Sequence, residues 1–102
     1  MNNAVFGALA DPTRRQLLER LAMGPTTATE IAAKFPVTRQ ALVKHLGALE
    51  NAGMVAKERH GREVHYRLEG APLGEATAWL TTLSARWEQR LLRLKHYLEE
   101  ES

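Results

Sequence analysis

The chain has no cysteine. That excludes disulfides, thiolate-bound metal and cysteine nucleophiles together, and it is compatible with a reducing compartment. No stretch approaches the roughly 18 uninterrupted apolar residues that read as a membrane span. The start, MNNAVFGALADPTRR, has no basic stretch followed by a long apolar run, so it does not read as a signal peptide. The expected location is the cytoplasm, with no membrane partner. No G-x-S-x-G, P-loop or H-E-x-x-H occurs, and Glu and His show no local catalytic spacing. No catalytic residue is assigned, and enzymatic activity is not expected. Internal repeats and low-complexity segments are also absent.

What remains is an ordinary globular composition. Of the 102 residues, 44% are hydrophobic and 25% charged, which argues against disorder and fits a single domain over 1–102. A chain this short buries a limited core alone, so an oligomer that covers more apolar surface is plausible. The net charge is only +2, but it is unevenly placed. Lys34, Arg39, Lys44, Lys57, Arg59, Arg62 and Arg67 face only Glu50, Glu58 and Glu63 in the middle third, which also holds three of the four histidines. The first third is neutral and the last is acidic. A focused basic patch points to a polyanionic partner, although a solvated face with an accidental excess has the same composition.

Proline and glycine divide the chain into elements. A short apolar helix over roughly Asn3 to Leu9 is followed by Asp11, a good N-cap, with Pro12 at the first helical position. Leu17, Leu18 and Leu21 give the second helix its apolar spacing, and Gly24-Pro25 stops it. Thr27-Ala28-Thr29-Glu30 is a capping box that opens a third helix with Ile31, Ala32 and Phe35 on one face. Thr38 caps a fourth, whose Leu42, Leu46 and Leu49 share a face before Asn51-Ala52-Gly53. The period then changes to that of a strand: Val64, Tyr66 and Leu68 alternate with polar residues, and Gly61-Arg62 is a two-residue hairpin turn. The last helix runs from about Leu73 to Glu100. Its stripe of Leu73, Ala76, Leu80, Leu83, Trp87, Leu91, Leu94 and Leu98 is close to a heptad seam.

The expected fold is therefore mainly α with a small β-hairpin wing, in the order α-α-α-α-β-β-α. Residues 27–53 form a helix-turn-helix and 54–69 the wing. Such a unit places its second helix in the major groove of double-stranded DNA. The leucines of the fourth helix anchor it. Arg39, Gln40, Val43 and Lys44 fall on the other face, with Gly47 one turn further. Arg forms paired bonds to guanine and Gln to adenine, Val43 suits a thymine methyl, and Thr38 and Lys44 suit phosphates. His45 fits either a phosphate contact or a packed position. Arg59, His60 and Arg62 lie at the wing tip, where arginine suits phosphates or the minor groove; Lys57 and Arg67 lie further back. Val5, Phe6 and Leu9, together with Leu80, Leu83, Trp87, Leu91 and Leu94, read as a dimer interface over 1–10 and 72–100. Trp79 and Trp87 fit interface packing or the wall of an effector pocket. Arg14 and Arg15, just inside a helix N-terminus, oppose its dipole and hint weakly at an anionic neighbour.

The stretch TTATEIAAKFPVTRQALVKHLGALENAGMVAKERHGREVHYRL resembles the winged helix-turn-helix of ArsR/SmtB-type repressors. The opening ALADPTRRQLLERLAMGP looks like their first two helices, and the resemblance covers nearly the whole chain. It implies a homodimer held by its first and last helices. That dimer would bind an inverted-repeat operator and repress until a signal releases it. The metal-sensing branch commonly carries a cysteine pair or Asp/His ligand sets on the last helix. Here the last helix has one histidine, His96, and one imidazole does not make a zinc site. The ending WEQRLLRLKHYL looks like the non-metal branch. No metal and no cofactor are expected, and the resemblance leaves room for a small-molecule effector of unidentified chemistry. A protein-interaction module that uses the same fold without DNA is the alternative class.

Overall fold

A computed structural model describes residues 3–101. Met1, Asn2 and Ser102, which the expected domain includes, lie outside them. Helix α1 spans Asn3–Leu9 and α2 spans Pro12–Ala22. Asp11 caps α2 by accepting the Arg14 backbone N–H at 3.1 Å, which satisfies one of the helix's orphan donors. Helix α3 spans Ala28–Lys34 and α4 spans Arg39–Asn51. Each begins on a threonine whose hydroxyl accepts an N–H three residues on: Thr27 from Glu30 at 3.1 Å, and Thr38 from Ala41 at 3.0 Å.

The end of α4 is equally determined. Gly53 adopts φ +74°, a left-handed conformation that glycine reaches without steric cost. Gly53 N–H then donates to Glu50 O at 2.9 Å and Met54 N–H to Leu49 O at 3.0 Å. This is the Schellman pattern, with Met54 and Leu49 both fully buried behind it. The chain is thereby turned directly into strand β2, Val55–His60.

Strand β3, Glu63–Leu68, returns antiparallel with Val55 opposite Leu68 and His60 opposite Glu63. Gly61 has φ +63° and Arg62 does not, the sign pattern of a type II′ turn, which matches the twist of a hairpin. A further strand, β1, consists of Thr26–Thr27 and pairs with β3 through Thr26↔Tyr66 and Thr27↔His65. The sheet is thus three-stranded, in the order β1-β3-β2, and not a bare hairpin. Two residues carry no readable period, and tertiary pairing with β3 sets their conformation.

One core lies beneath the sheet. It joins Val5 and Ala8 of α1, Leu17, Leu18 and Leu21 of α2, Ile31 of α3, and Leu42, Leu46 and Leu49 of α4 to Met54, Val55 and Tyr66. Val5, expected at a dimer interface, is 2% exposed and belongs to this core. A seven-residue helix with a single buried turn presents Val5 and Ala8 inward, leaving Phe6 and Leu9 half-buried at the edge.

Helix α5 spans Ala71–Glu101. Ala76 is buried in the core, and Trp79 meets Phe6 edge-to-face with ring centroids 5.7 Å apart. Beyond that contact every residue through Glu100 is exposed. The molecule measures 69 × 25 × 22 Å because this helix projects from the body.

Candidate nucleic-acid interface

The turn from Phe35 to Thr38 separates α3 from α4 and fixes how much of α4 stands clear of the body. Leu42, Leu46 and Leu49 recur at i, i+4 and i+7, so they occupy one stripe and are all buried. The rest of the first two turns is then forced outward. Thr38, Arg39, Gln40, Val43 and Lys44 are exposed, and Val43 is 63% accessible. Val43, an aliphatic side chain between an amide and two cations, is thus left mostly uncovered by its own subunit. The side chains of Arg39, Gln40 and Lys44 form no hydrogen bond or ion pair with any described residue. The first turn of α4 carries no acidic residue to oppose its positive end. Apart from the N–H that Thr38 takes, the first-turn N–H groups have no intrahelical acceptor. The N-terminal end of α4 therefore offers a net positive, donor-rich surface.

His45 does not belong to that surface. Its side chain is 17% exposed and turned toward α2, where Nδ1 accepts a hydrogen bond from Arg14 Nε at 3.2 Å. At 100° per residue, His45 lies on the flank of the leucine stripe, away from Val43 and Lys44. Of the two readings the sequence left for His45, a phosphate contact or a packed position, this geometry is that of a packed position. Arg14 and Arg15 also have internal partners, since Arg15 Nη1 donates to Leu9 O at 2.6 Å. The sequence offered one signal for this network, the pair of arginines set against a helix dipole. It did not indicate which residue they meet.

The hairpin separates its cations into free and engaged groups. Arg62, at the tip, is exposed with no partner among the described residues. Arg59 folds back so that Nε donates to Gly61 O at 3.1 Å, which steadies the turn. His60 lies 3.5 Å from Glu58 and packs edge-on against His65, with centroids 4.8 Å apart. His65 Nε2 is 3.0 Å from Glu63. Arg67 pairs with Glu69 at 3.1 Å and Glu58 at 3.9 Å, and Lys57 pairs with Glu50 at 3.5 Å. One face of the wing is thus a lattice of paired glutamate, histidine and arginine side chains, while Arg62 stands outside it.

Two carboxylates are tuned by their neighbours. The Arg14 backbone N–H holds Asp11 below its ordinary range, with partial burial opposing. Glu30 is also lowered, chiefly by the Thr26 hydroxyl, which donates to it at 2.6 Å, and less by the Thr27 backbone N–H. Among the described residues no three His, Asp or Glu side chains converge as a metal site, and no helix is long and apolar enough to cross a membrane.

On α5, Leu80, Leu83, Trp87, Leu91 and Leu94 are all exposed, from 46% at Leu91 to 58% at Trp87. They lie on one stripe that continues the line of Leu73 and Ala76.

Comparison with known proteins agrees with this geometry. A helix-turn-helix domain family matches residues 9–58. The transcriptional repressor SdpR of Bacillus subtilis (strain 168) is 36% identical over 80 residues, covering 78% of this chain and 88% of that protein. The HTH-type transcriptional regulator Rv2034 of Mycobacterium tuberculosis is 38% identical over 94 residues, covering 92% and 85%. A solved ArsR-like transcriptional regulator from Rhodococcus sp. RHA1 superposes with a TM-score of 0.84 at 39% identity, covering 96% of this chain and 90% of that one.

Proposed function

The chain belongs to the ArsR/SmtB-type family of helix-turn-helix transcriptional regulators, and we propose that it works as a homodimeric repressor with α4 of each subunit in a major groove of an inverted-repeat operator. The observation that carries this reading is the division of α4 into a buried leucine stripe and an exposed face with no partner of its own. Arg39 and Gln40 read base edges, Val43 meets a thymine methyl, and Thr38 and Lys44 hold phosphates. Arg62 reaches the flanking backbone or minor groove, with Arg59 and His60 beside it at the tip. Repression, rather than activation, follows the relative SdpR, which is a transcriptional repressor.

The dimer follows from α5. A stripe of five large apolar residues that stays in water is unfavourable, at about 25 cal/mol per Å². Covering it with the same stripe of a second copy joins Leu80, Leu83, Trp87, Leu91 and Leu94 to Phe6 and Leu9 at the helix root. Val5 supports that surface from behind. The protein acts in the cytoplasm, and with no cysteine its release signal is something other than thiolate-bound metal; a small-molecule effector is consistent with this.

The test is a titration of the duplex that the protein itself selects from a random-sequence pool, with a scrambled duplex as reference. Tight binding should fall steeply with salt, by about 0.9 in log–log slope for each phosphate neutralised. Arg39→Ala and Gln40→Ala should each lose about ten- to a hundredfold in discrimination between the two duplexes, the worth of one bidentate contact. Full discrimination by both variants would overturn the assignment.

A further inference from the structure

His45 occupies an unusual place for a polar side chain on a helix with a recognition face. It lies one position after Lys44, on the side of α4 that meets α2. Arg14 sits at the third helical position of α2, and its Nε reaches across 31 positions of chain to donate to His45 Nδ1 at 3.2 Å. Arg14 is itself held at its backbone, where Asp11 Oδ1 accepts its N–H at 3.1 Å. The same carboxylate oxygen lies 4.0 Å from His45 Nδ1. A cationic donor on Nδ1 requires that nitrogen to be unprotonated, so the imidazole is the neutral form with its proton on Nε2.

The leucines of α4 cannot do what this bond does. Apolar burial is non-directional, so Leu42, Leu46 and Leu49 decide which face of α4 turns outward without fixing its roll to hydrogen-bond precision. Reading base edges requires hydrogen-bond geometry within a few tenths of an ångström. A directional bond from the capped, fixed end of α2 supplies that constraint on the same turn as Val43 and Lys44.

We propose that His45 is a positioning residue for DNA recognition, its neutral imidazole locked to Arg14 to fix the roll of α4, and that protonation opens this lock. The proposal rests on α4 being the helix that enters the groove. On protonation Nδ1 becomes a donor and can no longer accept from Arg14. Two cations then face each other, and the Asp11 carboxylate is the adjacent acceptor. Of the charged groups on the other elements packed on α4, Glu58, Arg59 and His60 of β2 are engaged within the hairpin. Helix α1 has no titratable residue from Asn3 to Leu9, and Lys57 of β2 is engaged with Glu50 near the far end of α4. Acidification thus exchanges an Arg14–His45 contact for a His45–Asp11 contact and shifts the recognition face.

The test compares the parent with H45Q, H45L and R14Q on the self-selected duplex and its scrambled reference. Glutamine accepts from Arg14 but does not titrate, whereas leucine neither accepts nor titrates. Selectivity, the ratio of the two dissociation constants, should fall about five- to tenfold in H45L and R14Q at pH 8, the worth of one hydrogen bond. It should be retained in H45Q, and the R14Q/H45L double variant should be no worse than either single change. On acidification from pH 8 the parent should lose selectivity relative to H45Q. His60, His65 and His96 are present in both proteins and cancel from that comparison.

Unchanged selectivity in H45L, or superimposed pH profiles for the parent and H45Q, would overturn the proposal. If H45L does not fold, the parent-against-H45Q profile decides alone. Arg39→Ala separates the two levels of the account. Loss of selectivity there without loss in H45L leaves α4 in the groove and removes His45 from positioning it. No loss in either overturns both.

Discussion

Gly47 interrupts the middle of α4, where glycine costs about 0.5–1 kcal/mol relative to alanine. No packing constraint inside the subunit accounts for it, since a Cβ built there meets nothing within 4 Å. It is half-buried, one turn beyond Val43 on the side of α4 that is proposed to face the duplex. Gly47→Ala should therefore raise the thermal midpoint, with a stability gain of about 0.5–1 kcal/mol, while weakening DNA binding. Melting curves and binding titrations on the same preparation check both halves; a gain in stability with unchanged binding would place Gly47 outside the interface. Glu30 makes a second residue-level prediction. Its carboxyl is held below its ordinary value of 4.5 by the Thr26 hydroxyl. A depressed folded value means that the unfolded chain binds the proton more readily. The stabilisation is then complete above about 4.5 and is lost as pH falls through the lower folded value. Glu30→Gln should flatten the acid limb of the stability–pH curve below about pH 5 and leave the neutral region parallel to the parent.

At the scale of elements, caps govern more than propensity. Thr38→Ala removes the hydroxyl that takes the Ala41 N–H and should cost about 1 kcal/mol in a urea melt. The wing should divide by charge partnership. Arg62→Ala should reduce the salt slope of DNA binding by about 0.9, the loss of one phosphate contact. Arg67, already paired with Glu58 and Glu69, should give a clearly smaller change when replaced by alanine. Equal effects would mean that the ion-pair lattice opens on binding.

Most elements were legible because their signals are local. Asp11, Thr27 and Thr38 announced their helices, and Gly61-Arg62 announced the turn. What escaped was set by contacts distant in sequence. Strand β1 is two threonines that extend only because Tyr66 and His65 pair with them. His45 was ambiguous because helical periodicity placed it on the flank of the leucine stripe, while its partner, Arg14, lies on another helix. Val5 reads alike as core or interface when only its own short helix is considered.

At the scale of the molecule, the radius of gyration is 19.2 Å. A compact chain of this length should measure about 13 Å. The difference is α5, whose distal turns have no tertiary support in the single subunit although an isolated helix is marginal in water. The heptad-like stripe was visible in the sequence, but the extent of its exposure required the fold. Leu83→Asp should shift sedimentation toward monomer and make melting less dependent on protein concentration. It should also weaken binding to the paired half-sites more than to a single one, because linkage between subunits is lost.

Methylation interference on the self-selected duplex is the most direct measurement, because it reports which groove the protein occupies and where. Guanine N7 faces the major groove, so its methylation should block binding in two clusters about one helical turn, roughly 10 base pairs, apart. In Arg39→Ala the guanine signal within each cluster should fade. Binding that is indifferent to N7 methylation throughout the site would contradict the placement of α4 in the major groove.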